Sequence, residues 1–252
     1  KTYWSSGHPA ETSTLQLGVG SALASLIVLF LAPLLGAIAD RSRRKKPWLA
    51  AVTGIAVAAT AGLFFVGEGQ WLFALTLFVI ASAAFFLAMV FYDSLIVDVA
   101  TPADYDRVSA LGYGLGYLGG GLLLAVNVAM TLWPEMFGLA DRAAAVRWSF
   151  LSVAVWWALF ALPVFLWVKE EREADTPSAG QAMREGVSEL RRTARRIFDE
   201  KPVLTFLIAY WLYIDGVHTI IRMAVDFGLN LGFGETSLIT ALLLVQFIGF
   251  PA

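Results

Sequence analysis

Seven long apolar segments separated by polar ones dominate this chain. They cover residues 15–39, 48–66, 71–97, 108–132, 148–168, 202–224 and 236–252. Each holds 17 to 27 residues. A helix rises 1.5 Å per residue, so each can cross a hydrocarbon core of about 30 Å, the last only just. Inside lipid every backbone N–H and C=O must be paired within the segment, so runs of this length predict helices. A β-barrel would show alternating strands of about ten residues, and no such period is present.

Charge sharpens the pattern. Hydrophobic residues make up 58% of the 252 and charged ones only 15%, against roughly a quarter charged in ordinary soluble domains. Of 18 basic and 20 acidic residues, only Asp93, Asp215 and Arg222 fall inside the seven runs. The expected fold class is therefore all-α and polytopic in the membrane, which excludes a soluble enzyme, a nucleic-acid binder or a secreted disulfide scaffold as the whole. With 0 cysteines, disulfides, thiolate catalysis and soft metal sites are also excluded. No cofactor and no metal are expected, and the lipid bilayer is the first partner. A net charge of −2 points to no other.

Lysine and arginine set the orientation. If loops alternate sides, 40–47, 98–107 and 169–201 share one side and hold nearly all the basic residues, whereas the other side holds only Lys1, Arg142 and Arg147. The basic side is the cytoplasmic one. Trp71, Trp133 and Trp148 at outer ends, with Trp48 and Trp167 at inner ends, agree as interfacial anchors.

The runs are unevenly grouped. Five come close together over 1–168, then a cytoplasmic segment over 169–201 intervenes, and two more follow in 202–252. The first part of that segment reads as a polar linker. Its second part predicts an amphipathic helix, with Ser178 and Gln181 at capping-box spacing and a stripe of Met183, Val187, Leu190, Ala194 and Ile197 flanked by Arg191, Arg192, Arg195 and Arg196. Such a helix lies on the inner leaflet or packs on its own protein. The start at Lys1 and the stop just past the last run lead us to expect a middle piece of a longer chain.

The sharpest local signature follows the first run: Gly36, Asp40, Arg41, Arg44 and Lys45 in Gly-Ala-Ile-Ala-Asp-Arg-Ser-Arg-Arg-Lys-Lys. A small residue, a helix-ending acid and a basic cluster suit a tight cytoplasmic turn whose Asp accepts from a neighbouring helix N-terminus. The loop resembles the one joining the second and third helices of the major facilitator superfamily, although Arg43 stands where that family usually has Gly. The resemblance implies two six-helix bundles around a long cytoplasmic linker. On that plan the seven runs are helices two to eight, with 1–168 the first bundle lacking its first helix, 169–201 the linker, and 202–252 the start of the second bundle.

Phe91-Tyr92-Asp93-Ser94-Leu95 and Tyr213-Ile-Asp215-Gly216-Val217-His218-Thr219-Ile220 resemble the branch containing the autophagy-linked vacuolar amino-acid effluxers and their bacterial relatives. That resemblance implies a transporter of small organic solutes, with amino acids as the implied class. The location it implies is the cell membrane in a bacterium and the vacuolar membrane in a eukaryote.

Gly114, Gly116 and Gly119 match a dinucleotide fingerprint, but such a fingerprint follows a strand and opens a helix, whereas these lie within an apolar helix. Gly112, Gly116 and Gly120 repeat every four residues and form a small-residue ridge for helix packing. Whether the ridge slides or stays a static seam is open.

The residues expected to carry function are Trp211, Asp215 and His218, on one face of the sixth run with Arg222. Asp215 lies roughly 20 Å along its helix from the inner surface, deep in the apolar layer, where a charge needs a partner, a proton or water. Proton coupling through Asp215, with His218 as a second titratable group, follows as an expectation. Arg222 can snorkel or pair with Asp226. Asp93, beside Tyr92, is a further pathway candidate or a helix-end residue. A seven-span receptor is the rival reading, though a retinal protein would need a lysine in a run and none has one. A membrane enzyme lacks any of the expected motifs.

Overall fold

The computed structural model of the protein describes residues 10–42, 45–170 and 179–250. Among the described residues the secondary structure is helical throughout. The helices are α1 (Ala10–Ser42), α2 (Lys45–Gly62), α3 (Trp71–Ser94), the short α4 (Ile96–Val99), α5 (Tyr105–Leu132), α6 (Arg142–Trp167), α7 (Ala179–Asp199), α8 (Lys201–Asn230) and α9 (Glu235–Gly249).

Each apolar run forms one main helix, and six of the helices are long and apolar enough to cross a membrane. The seventh run yields α9, which has 15 residues. At 1.5 Å per residue that is about 22 Å, short of a hydrocarbon core. The polar stretch after the fifth run folds as expected, into a helix starting at Ala179. Ser178 of the suggested capping box lies outside the described residues.

α3 is the centre of the first group, packed on one side by α1 and on the other by α2, while α2 also meets α6. Its buried positions are mostly alanine (Ala74, Ala83, Ala84, Ala88) with Leu87 and Phe91. Lipid tails are as apolar as leucine, so close backbone approach and dispersion, rather than water expulsion, hold such helices together. Phe91 is fully buried and stacks on Trp48 of α2, with ring centroids 6.4 Å apart. α5 packs on α6 and α9, and α7 packs along α1, where Gly186 faces Ala37. Many large apolar side chains remain exposed, as a bilayer-facing surface requires.

Two adjacent lysines at the start of α2 tie the ends of α3 and α6 together. Lys45 Nζ donates to Ser94 O at 2.7 Å and to Asp98 Oδ2 at 2.9 Å. Lys46 Nζ donates to Phe165 O and Val168 O, both at 2.7 Å, while its backbone N–H donates to Glu170 Oε1 at 2.8 Å. The last carbonyls of a helix lack intrahelical donors, and a cation there also meets the negative end of the dipole. Lys45 and Lys46 therefore close helix ends with their charges. On the opposite side, Asp141 Oδ1 accepts from Ala144 N at 2.7 Å and caps α6. Asp141→Ala should cost about 1 kcal/mol, read as a lower thermal midpoint of the purified full-length protein with Asp141→Asn close to wild type.

Candidate functional site

α3, the α3–α4 break, α5, the end of α6 and α9 line a half-open cavity of about 780 Å³. The break has a local cause: α3 ends at Ser94, and the Leu95 N–H turns back to Tyr92 O at 3.0 Å before α4 resumes. That turn places Tyr92 and Asp93 at the cavity wall. α5 crosses opposite them, and because every fourth residue is glycine, its Gly112, Gly116 and Gly120 leave the interior open. A Cβ at Gly112 would meet only the Tyr92 hydroxyl, at 3.8 Å, and one at Gly116 would meet nothing within 4 Å. On α9, Gln246 Oε1 stands 3.9 Å from the corresponding point on Gly120.

The tight contact between α5 and α9 is made by different glycines. A Cβ at Gly121 would lie 3.1 Å from Gln246 Cβ, and one at Gly114 would lie 3.1 Å from the backbone oxygen of Phe250. From the other side, a Cβ at Gly249 would lie 3.2 Å from the Tyr117 ring. The seam thus borders the cavity, and the ridge of Gly112, Gly116 and Gly120 lines it.

Chemically the wall is mostly apolar (Met89, Val99, Val108, Val164), with a small polar set. Tyr92, Tyr113 and Tyr117 supply three phenols, Ser109 a hydroxyl, Gln246 an amide and Asp93 the one carboxylate among the described lining residues. That mixture of apolar wall and a few convergent polar groups is typical of a small-molecule site. The described residues form no cluster fit to hold a metal ion.

The other candidates fall elsewhere. Trp211, Asp215 and His218 lie along α8, exposed, and are not part of the cavity wall. His218 approaches the first bundle through Phe86 of α3, with ring centroids 6.3 Å apart. Phe86 lies two helical turns from Asp93, so the α8 face carrying these residues approaches α3 on the outer side of the cavity. In the loop signature, Gly36 sits in α1 near Val90 of α3, and Asp40 and Arg41 lie in the last turn and a half of the same helix. The side chains of Asp40, Arg41 and Arg222 lie outside the described residues, as does Arg44 entirely. Lys45 is the described member, and it pairs with Asp98.

Sequence reasoning did not single out Tyr113, Tyr117, Ser109 or Gln246. The tyrosines carried a signal: they lie four apart, one position beyond Gly112 and Gly116, and so line the same side of α5. Gln246 is a rare amide in its apolar run, but which helix it would face was not readable.

Residues 15–102 and 99–251 match the protein family described as "Vacuole effluxer Atg22 like". The chain belongs to this family. It is 34% identical over 253 residues to the "Uncharacterized MFS-type transporter YxiO" of Bacillus subtilis (strain 168), covering 98% of this chain and 57% of that protein. It is also 28% identical over 130 residues to "Autophagy-related protein 22-2" of Aspergillus clavatus, across 48% of this chain and 20% of the relative. "Autophagy-related protein 22" of Pyricularia oryzae is 29% identical over 135 residues, across 48% and 19%. This Atg22-like chain spans a little over half the length of the bacterial relative. No solved structure matches it. With six spanning helices and this family, the chain is an integral, multi-pass membrane protein. The family and the bacterial relative are named for transport and not for catalysis, which leaves the receptor reading without support.

Proposed function

We propose that this Atg22-like chain is part of a secondary transporter that moves small organic solutes across a membrane by alternating access. The cavity carries the reading: it is lined by α3 and α5 and, through Gln246, by α9, which packs on α5, so residues of the first and second helix groups share it. On this reading 1–168 forms most of one bundle, 169–201 joins the bundles, and 202–252 begins the second, so that the helices correspond to the second to eighth of the major facilitator plan. Substrate then sits at the junction of two bodies that rock against each other. Amino acids are the class implied by the resemblance to the vacuolar effluxers. The membrane is the cell membrane in a bacterial host and the vacuolar membrane in a eukaryotic one.

The test is accessibility. In the full-length protein, with any other cysteines replaced by serine, Ser109→Cys places a thiol in the wall. A membrane-impermeant maleimide should label it from one face, and a transported solute should change the rate several-fold. Labelling indifferent to every solute that the reconstituted protein carries would exclude alternating access at this cavity.

Coupling to protons is assigned to Asp215, with His218 one turn away on α8. A carboxylate at that depth is tolerated when it is protonated or faces water. Asp215→Asn should therefore retain solute exchange while losing acceleration by a pH gradient in proteoliposomes. Unchanged gradient-driven flux would remove Asp215 from the coupling path.

A further inference from the structure

We infer that the cavity between α3, α5 and α9 binds a positively charged, amine-bearing solute, with the Asp93 carboxylate as its counter-charge and tyrosine rings as its wall. The inference rests on the transport reading and adds the charge of the substrate to it. Three observations carry it.

First, the Asp93 side chain is exposed at the cavity wall and has no partner among the described residues. The structure gives its carboxylate no hydrogen bond and no ion pair among the described residues. The neighbouring cation, Lys45, is committed elsewhere: its ammonium is held by Ser94 O and by Asp98, whose charge balances it. Asp93 is also in the last turn of α3, at the negative end of the helix dipole, so it does not serve as a favourable helix-end charge there. Its exposed carboxylate faces the cavity without a counter-charge among the described residues.

Second, the described wall contains no lysine, arginine or histidine. An anionic solute would meet a carboxylate with nothing to pair it, and a neutral one would leave Asp93 unsatisfied.

Third, three aromatic rings converge on the same space. Tyr92 lies over Gly112, while Tyr113 and Tyr117 project from adjacent turns of α5. Rings present a negative quadrupole face, and cages of them beside a carboxylate recognise ammonium groups. The glycine ridge leaves the rings reachable, since Gly112 and Gly116 place no side chain beside them.

The test uses a matched pair of solutes that differ in charge and hardly in shape: choline and its neutral isostere 3,3-dimethylbutan-1-ol. Full-length protein carrying Ser109→Cys is alkylated in the presence of each. Choline should protect the thiol at a concentration roughly tenfold lower than the isostere, the order expected from an ion pair with aromatic contact. Asp93→Asn should erase the difference, while Asp93→Glu, which keeps the charge, should retain part of it. Tyr113→Leu should weaken choline protection more than Tyr113→Phe, which keeps the ring. Equal protection by the two solutes, protection by neither, or a charge preference that survives Asp93→Asn would overturn the inference. Flux of a neutral or anionic solute through the same protein would then show that transport stands without it. Absence of flux for all solutes would instead count against the transport reading itself.

Discussion

Replacing Lys46 by methionine should loosen the end of α6 by about 2–3 kcal/mol, the net worth of hydrogen bonds to a charged group at a partly buried site. The reason is geometric. Lys46 Nζ holds Phe165 O and Val168 O, both at 2.7 Å, at the end of α6. Those carbonyls have no intrahelical donor, and methionine fills the volume without replacing the donor. The group is half-buried, so water recovers only part of the loss. The expected readout is a thermal midpoint of the purified full-length protein lower by several degrees, with Lys46→Arg in between. The arginine keeps the charge, but a planar fork fits two carbonyls of one helix end less well than a compact ammonium. A midpoint unchanged by Lys46→Met would show that α6 is held by packing alone.

Gly121→Leu is expected to have the larger effect on transport. A Cβ at this position would already lie 3.1 Å from Gln246 Cβ and 3.4 Å from the Phe247 ring. A leucine must push α9 off α5, and overpacking of this kind costs about 1–3 kcal/mol. Because Gln246 also lines the cavity, the displacement alters the site as well as the seam. Solute flux in proteoliposomes should fall by an order of magnitude or more while membrane insertion is retained. The matching control is Gly54→Ala on α2, where a Cβ meets nothing within 4 Å. There the helix should gain roughly 0.5–1 kcal/mol from reduced backbone freedom. If Gly121→Leu were as harmless as Gly54→Ala, the close α5–α9 contact would have no part in the transport cycle.

The glycines also show where reading along the chain stops. A repeat at every fourth position places Gly112, Gly116 and Gly120 on one face of α5. The repeat has no information about what lies opposite. In the structure those three border open space, and the close approach passes to Gly114, Gly121 and Gly249. Gly114 and Gly121 lie on a different face of α5 from the ridge, and Gly249 belongs to α9. Asp93 and Asp215 make the same point. Both were visible as charges in apolar runs, and depth alone favoured Asp215. Position in space differs: both are exposed, but Asp93 is part of the cavity wall, while Asp215 lies on α8 outside it.

What the sequence by itself determined was the helical membrane class, the extent of the long apolar helices, the amphipathic helix before α8, and the family. Each follows from a local or compositional quantity: apolar length against bilayer thickness, backbone pairing in lipid, and short motifs read in order. What only the tertiary structure decided was which helices meet. The pairing of Lys45 with Asp98, the closure of α6 by Lys46, and the convergence of Tyr92, Asp93, Tyr113, Tyr117 and Gln246 join residues far apart in the chain. In a membrane every helix is apolar nearly all round, so hydrophobic periodicity does not say which face turns inward. That choice is made by shape and by a few polar contacts between helices, and these exist only once the helices are packed.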